Sequence, residues 1–264
     1  MLSYQHIYHA GCIADVHKHS ILSVIFSHLI LKGKALSYFE THAGRGLYDL
    51  ESQEAQKTKE ADMGIERVLK DNVFPKEHPY LQIVEKSRLL YGNRIYPGSP
   101  IFAEYLLGNE DQIHLMELHP QEVNFLRKTP HKSNVHIHFR NGFEGVLGLA
   151  PPTPRRGFVF IDPSYEIKNE YGVVLEFVKK LHRKWPEGIV AVWYPKLKAG
   201  HHESMVEEIL ELDLKNIIVS ELEFADKKTC KGMYGSGMLI VNCPFGVNDA
   251  ISDCKDRLEV YYKN

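Results

Sequence analysis

The chain has 264 residues, 44% hydrophobic and 25% charged, with a net charge of −2. That is long enough for one large α/β domain with its own core, and the charge excludes a general nucleic-acid-coating protein. Four scattered cysteines (Cys12, Cys230, Cys243, Cys254) form no CxxC pair, so neither a zinc ribbon nor a disulfide framework is expected. The apolar stretch Ile21 to Leu31 is interrupted and too short to span a bilayer, and Met1 to His6 lacks a leader pattern, so the expected compartment is the cytoplasm.

Apolar positions at Val16, Leu22, Ile25, Phe26, Leu29 and Ile30 have helical spacing over residues 13 to 32, closed by Gly33. Leu36 to Glu40 reads as a first strand running into Thr41-His42-Ala43-Gly44-Arg45-Gly46. Residues 50 to 96 break the rhythm: they are rich in charge, with Ala61, Ile65, Val68 and Leu69 at helical spacing, and read as a small helical insertion within a single domain spanning 1 to 264. Beyond it come a helix over 100–107, a strand over 112–117, a helix over 120–128 with proline in its first turn, and strands over 135–139 and 157–162. A helix over 169–184, a strand over 188–194, a helix near 201–212 and two strands within 216–224 and 236–243 complete the series. This alternation predicts a mostly parallel sheet with helices on both faces and an antiparallel pair at the end.

In such a sheet ligands bind outside the carboxyl ends of the strands, so the residues there are the candidate site. Asp162-Pro163-Ser164-Tyr165 follows the apolar run Gly157 to Ile161. A carboxylate can accept hydrogen bonds from an exocyclic amine, the proline fixes a carbonyl that accepts another, and Tyr165 offers a stacking face. Those groups suit a flat, amine-bearing ring such as adenine or cytosine. Glu117 ends the second strand and can take both hydroxyls of a ribose, each charge-assisted bond being worth roughly 1.5–3 kcal/mol. Asn141-Gly142 follows the third strand, where a short polar side chain can meet an adenine edge. The Gly44/Gly46 turn is neither a P-loop nor a dinucleotide fingerprint, lacking GK[ST] and the third glycine. Fifteen histidines, with His6, His9, His17 and His19 closest together, repeat no ligand frame, so no metal is expected. Of the basic groups, Arg155-Arg156 precede a strand and belong at the far end of the sheet. Lys179/Lys180/Arg183/Lys184 read as a solvated face, and Lys196/Lys198 and Lys227/Lys228/Lys231 are local.

Asp162-Pro163-Ser164-Tyr165 resembles the Asp/Asn-Pro-Pro-Tyr/Phe signature of S-adenosylmethionine-dependent amino-methyltransferases, with Ser164 in place of the second proline. A wider set of blocks is similar to the bacterial large-subunit ribosomal RNA adenine-N6 methyltransferases of the J type, the RlmJ family. They include Met1-Leu2-Ser3-Tyr4, Lys18-His19, Thr41-His42-Ala43-Gly44, Tyr96-Pro97-Gly98-Ser99-Pro100, Glu117-Leu118-His119-Pro120, Asn141-Gly142-Phe143, Ile161-Asp162-Pro163 and Trp193-Tyr194-Pro195. The resemblance implies a Rossmann-like, seven-stranded class I methyltransferase sheet with an antiparallel C-terminal strand and a small helical insert. It implies S-adenosylmethionine bound by His19, His42, Ser99, Glu117, Asn141, Gly142 and Asp162, with Asp162 catalytic and Tyr4 placing the RNA base. Asn141 stands where the family commonly has aspartate. The implied substrate is 23S ribosomal RNA, with no membrane and no obligate protein partner. A DNA adenine methyltransferase, a protein glutamine-amide methyltransferase and a non-catalytic RNA-binding relic are the rival readings.

Overall fold

The computed structural model describes residues 4–263; the first three residues of the Met1-Leu2-Ser3-Tyr4 block lie outside them. Nine strands follow in chain order: β1 (Ser37–Glu40), β2 (Leu47–Asp49), β3 (Ile95–Pro97), β4 (Gln112–Glu117), β5 (Val135–Phe139), β6 (Gly157–Ile161), β7 (Ile189–Leu197), β8 (Ile218–Glu223) and β9 (Met233–Val241). Seven form one sheet in the order β5-β4-β1-β6-β7-β9-β8, while β2 and β3 make a separate ribbon. β1 pairs in parallel with β4 and β6, β4 with β5, and β6 with β7. β9 is antiparallel to both neighbours, β7 and β8. Two crossovers, the first long and holding the β2–β3 ribbon, lead outward from β1 to β4 and β5; the chain then returns to β6 on the other side of β1, which leaves a crevice where β4 and β6 end.

The central strands β1 and β6 are buried along their whole length because both faces are covered. β6 (Gly157–Ile161) is buried throughout, and a Cβ on Gly157 would lie 2.3 Å from the Ser37 carbonyl and 2.7 Å from the Trp185 ring. The helix Ile13–Ile30 is buried around most of its circumference, including Asp15, His17, Lys18 and His19. It packs against the helices Ser99–Leu106, Pro79–Tyr91 and Asn248–Lys263 and against β9, so it has no solvent face to carry its charges.

Four helices (Gln53–Thr58, Glu60–Met63, Ile65–Lys70, Pro79–Tyr91) occupy the segment between β2 and β3, which holds the predicted insertion. Two elements differ from the sequence expectation. The β2–β3 ribbon was not anticipated, since three-residue strands carry no readable period. The chain also continues past the last strand into the helix Asn248–Lys263, whose buried Ile251, Cys254 and Leu258 hold it against the core. Arg155 and Arg156 do lie at the far end: Arg156 donates to the carbonyls of Leu29 and Lys34 at 2.6 Å each, and Arg155 pairs with Glu187.

Candidate active site

A cavity of about 500 Å³ opens at the carboxyl ends of β1, β4, β6 and β7. Tyr4, His19, His42, Ser99, Glu117, Asn141, Gly142, Asp162 and Tyr165 all line it, although they come from well-separated parts of the chain.

One half is built to receive a nucleoside. Glu117 ends β4 with each carboxylate oxygen anchored: Gly44 N–H donates to Oε2 and His119 N–H to Oε1, both at 2.7 Å. Burial raises its pKa while those two amides lower it. An anchored carboxylate of this kind keeps lone pairs for a diol. Beyond it, Asn141 caps the helix Gly142–Leu149, its Oδ1 accepting from Glu144 N–H at 3.1 Å. A Cβ on Gly142 would fall 1.9 Å from the Thr41 carbonyl, so the wall there can only be backbone. Gly44 has φ +64°, and a Cβ would strike the Tyr48 hydroxyl at 2.3 Å.

The floor comes from the Ile13–Ile30 helix and its neighbours. His19 Nδ1 bonds the Tyr96 hydroxyl at 2.8 Å and its ring stacks on Phe102, while Nε2 is buried without a partner. Burial holds the His19 imidazole well below its ordinary pKa and His42 at about 4, so both are neutral. Ser99 lies beside them and donates to Glu40, whose carboxyl burial pushes well up. An orphaned imidazole nitrogen, an oriented hydroxyl, a diol-ready carboxylate and a glycine wall fit S-adenosylmethionine along its length.

The other half is an ionic chain. Lys18 Nζ lies 2.6 Å from Asp162 Oδ2 and 2.9 Å from Asp15 Oδ1. Burial would lower the Lys18 ammonium, but Asp15 and Asp162 together raise it above an ordinary lysine. Asp15 Oδ2 accepts from His6 Nε2 and from Gly11 N–H, both at 2.8 Å. Burial works against the Asp15 charge, yet His6 and Lys18 hold its carboxyl well below the usual range. His6 Nδ1 meets the Tyr4 hydroxyl at 2.8 Å. Burial, then Asp162 and Asp15, push that phenol well up, so it stays protonated. The Lys18 ammonium also sits 5.0 Å from the centre of the Trp193 ring. Asp15, His6 and Lys18 were not singled out by sequence reasoning as part of the site. For Asp15 and Lys18 the signal was a cluster of polar residues, Asp15 and His17 to Ser20, inside an otherwise apolar helix.

Tyr165 differs from its expected role. It has φ +54°, its hydroxyl donates to the Trp193 carbonyl at 2.8 Å, and its ring lies 4.4 Å from Tyr171. Only 6% of the residue is exposed, so most of the expected stacking face is already taken. Ser164, standing where proline is usual, accepts from Glu166 N–H at 3.5 Å and so closes the turn with its own hydroxyl. Among the described residues no group of His, Cys, Asp or Glu is arranged to hold a metal, and no helix is long and apolar enough to cross a membrane.

The strand order, the glycine wall at Gly142 and the anchored Glu117 define a class I S-adenosylmethionine-dependent methyltransferase. The model of the family described as Ribosomal RNA large subunit methyltransferase D, RlmJ, matches residues 33–261. The chain belongs to this family. It is 34% identical over 255 residues to Ribosomal RNA large subunit methyltransferase J of Escherichia coli (strain K12), covering 96% of this chain and 91% of that one. It is 36% identical over 250 residues to the protein of the same name from Haemophilus influenzae, covering 93% and 88%. The crystal structure of protein LPL1258 from Legionella pneumophila is similar at a TM-score of 0.88 and 35% identity, covering 96% of this chain and 94% of that one.

Proposed function

We propose that this protein methylates N6 of an adenine in 23S ribosomal RNA by direct, in-line transfer to a flipped-out base. We read residues 1–264 as one methyltransferase domain with 50–96 as its helical insertion, working in the cytoplasm without an obligate protein partner. The observation that carries the reading is Asp162, held at 2.6 Å by Lys18 where β6 opens into the cavity. Bound S-adenosylmethionine supplies an electrophilic methyl group on a positively charged sulfur. The adenine N6 lone pair is delocalised into its ring and is a poor nucleophile. Asp162 Oδ1 and the Pro163 carbonyl are suited to accept the two N6 hydrogens, which favours a pyramidal nitrogen with its lone pair directed. Lys18 occupies Oδ2, so the carboxylate has one orientation, and positioning with electrostatics accounts for the rate. The excess proton leaves to Asp162 or to water beside it. Tyr4, tethered through His6 and Asp15 to the same lysine, is placed to close over the base. Tyr165 supports the Asp162 turn and adds what stacking its remaining surface allows. Flipping costs a few kcal/mol, least for an unpaired or weakly paired adenine.

The test is methylation of protein-free 23S ribosomal RNA and of duplex DNA with labelled S-adenosylmethionine, followed by mass mapping of modified adenines. N6-methyladenine in the RNA alone is expected. Preference for duplex DNA would move the protein to a DNA methyltransferase, and cofactor binding without transfer to either would reject the reading. Asp162→Ala is expected to abolish transfer and to leave cofactor affinity reduced but measurable.

A further inference from the structure

We infer that the edge formed by the end of β7 and the β8–β9 turn is an RNA-backbone surface, binding phosphates of the nucleotides that flank the target base. The inference rests on the reading of the cavity as an RNA methyltransferase site. Two basic regions compete for such a role. One lies along the helix Glu170–Lys184. Glu170 lines the cavity, but Lys180 and Arg183 stand 10 and 13 residues further on, so they are displaced along the axis by roughly 15–20 Å. Lys179 pairs with Glu176.

The other region adjoins the mouth. Leu197 and Met233 line the cavity, and Lys198 and Lys231 stand one and two residues from them in the chain. Lys198 Nζ donates to the Lys228 carbonyl at 2.8 Å, which pins the turn to the end of β7. Asp226 shapes that turn: its Oδ1 accepts from Lys228 N–H at 2.8 Å and its carbonyl from Cys230 N–H at 2.9 Å. The glutamates of this edge are committed to other lysines, which leaves Asp226 as its one acid with no lysine partner among the described residues. Glu221 and Glu223 hold Lys196 at 2.5 and 2.7 Å, and Glu203 holds Lys227 at 3.0 Å. Lys198, Lys228 and Lys231 are exposed and have no acidic partner among the described residues. Three cations without an ion-pair partner, against the single carboxylate of Asp226, therefore gather beside one opening of a chain whose net charge is −2. Ammonium groups on flexible stems suit phosphates and give register without sequence choice. That leaves the choice of base to the cavity.

The experiment compares two triple variants with the wild-type protein, Lys198→Gln/Lys228→Gln/Lys231→Gln and Lys179→Gln/Lys180→Gln/Arg183→Gln. RNA binding is measured by anisotropy on a labelled transcript of large-subunit ribosomal RNA across a salt series, with S-adenosylmethionine affinity and methyl transfer measured in parallel. The first variant is expected to weaken RNA binding about tenfold and to reduce the log–log salt slope by about two, at roughly 0.7 per contacted phosphate of a single strand. Its cofactor affinity and its turnover at saturating RNA should match wild type. The second variant should bind RNA as wild type does. Equal RNA binding by the first variant and wild type, or equal losses in both variants, overturns the inference. If wild type binds RNA but transfers no methyl group, the functional reading fails while the surface still stands on its binding data.

Discussion

Lys18 carries two carboxylates at once, linking the helix that holds Asp15 to the strand end that holds Asp162. A buried ammonium between them is tolerable because each charge is satisfied by the next. Replacing it with a shape-matched apolar group, Lys18→Met, leaves two acids facing one another in a buried site. The expected loss is about 3–5 kcal/mol of folding stability, the usual cost of removing one partner of a buried pair. Methyl transfer should fall at least about 100-fold, because the Asp162 carboxylate loses the group that orients it. Denaturant titration and single-turnover transfer read the two separately, and wild-type turnover in the Lys18→Met variant would remove Lys18 from the site's chemistry. Gly142 gives a second expectation at this scale. With 1.9 Å between a Cβ and the Thr41 carbonyl, Gly142→Ala must displace the wall, and S-adenosylmethionine affinity should fall steeply by calorimetry. Asp162, Glu117 and Gly142 were legible because strand ends are legible: an apolar run stops and a polar residue or glycine follows. Lys18 was not, because its partner is 144 residues away and nothing local marks a lysine as buried.

The helices between β2 and β3 do more than decorate the edge of the site. They grip the N-terminal segment that carries Tyr4: Ile65 N–H donates to the Gly11 carbonyl at 2.9 Å, and Thr58 bonds the Tyr8 carbonyl. Glu60 reaches the cavity itself and takes His9 Nδ1 at 2.8 Å, while the His9 ring stacks on Tyr4 at 5.9 Å. Glu60 and His9 are 37% and 41% exposed, so their pair is worth at most about 1 kcal/mol. Glu60→Gln is accordingly expected to lower kcat on RNA a few-fold, with unchanged cofactor affinity. In a Tyr4→Ala background the same change should add nothing, since the effect runs through that ring; additive losses would give Glu60 an independent role. Charge and helical spacing in this segment were readable, but its grip on the first residues of the chain was not, being a tertiary contact between partners about fifty residues apart. The C-terminal helix was readable and was missed: Ile251, Cys254 and Leu258 have helical spacing, hidden behind the expectation that a terminal strand pair ends the fold.

At the scale of the whole molecule the Ile13–Ile30 helix is tied to the sheet through a neutral histidine. His17 Nδ1 bonds Ser236 on β9 at 3.0 Å and Nε2 bonds Ser220 on β8 at 3.2 Å. Burial, with Lys255 nearby, lowers its pKa to about 3. His42, His78 and His114 are lowered to about 4, burial being the largest cause in each. A group that binds its proton more weakly in the folded state favours unfolding once the unfolded chain is protonated. Stability from these histidines is thus fully present above about pH 6.5 and is lost as pH falls toward 4. His9 and His131 work the other way: Glu60 raises the first against burial, and for the second burial is outweighed by Glu104 and the Leu126 carbonyl, so their contribution is fully present below about pH 6.5 and is lost as pH rises above it. Asp15, depressed well below the usual range, weakens only in stronger acid, whereas Glu40 and Glu117, raised by burial, take up protons more readily in the folded state and offset part of the histidine loss within this window. Five strongly lowered imidazoles, His19 among them, dominate this window, so the urea midpoint should decline from pH 6.5 to 4. His17→Gln keeps a polar side chain between the two serines and removes the titration. Its midpoint should be lower than wild type at pH 7 and should vary less with pH, by on the order of a few kcal/mol across the window. An unchanged pH slope in that variant would mean that the helix–sheet joint is not where protons act on the fold.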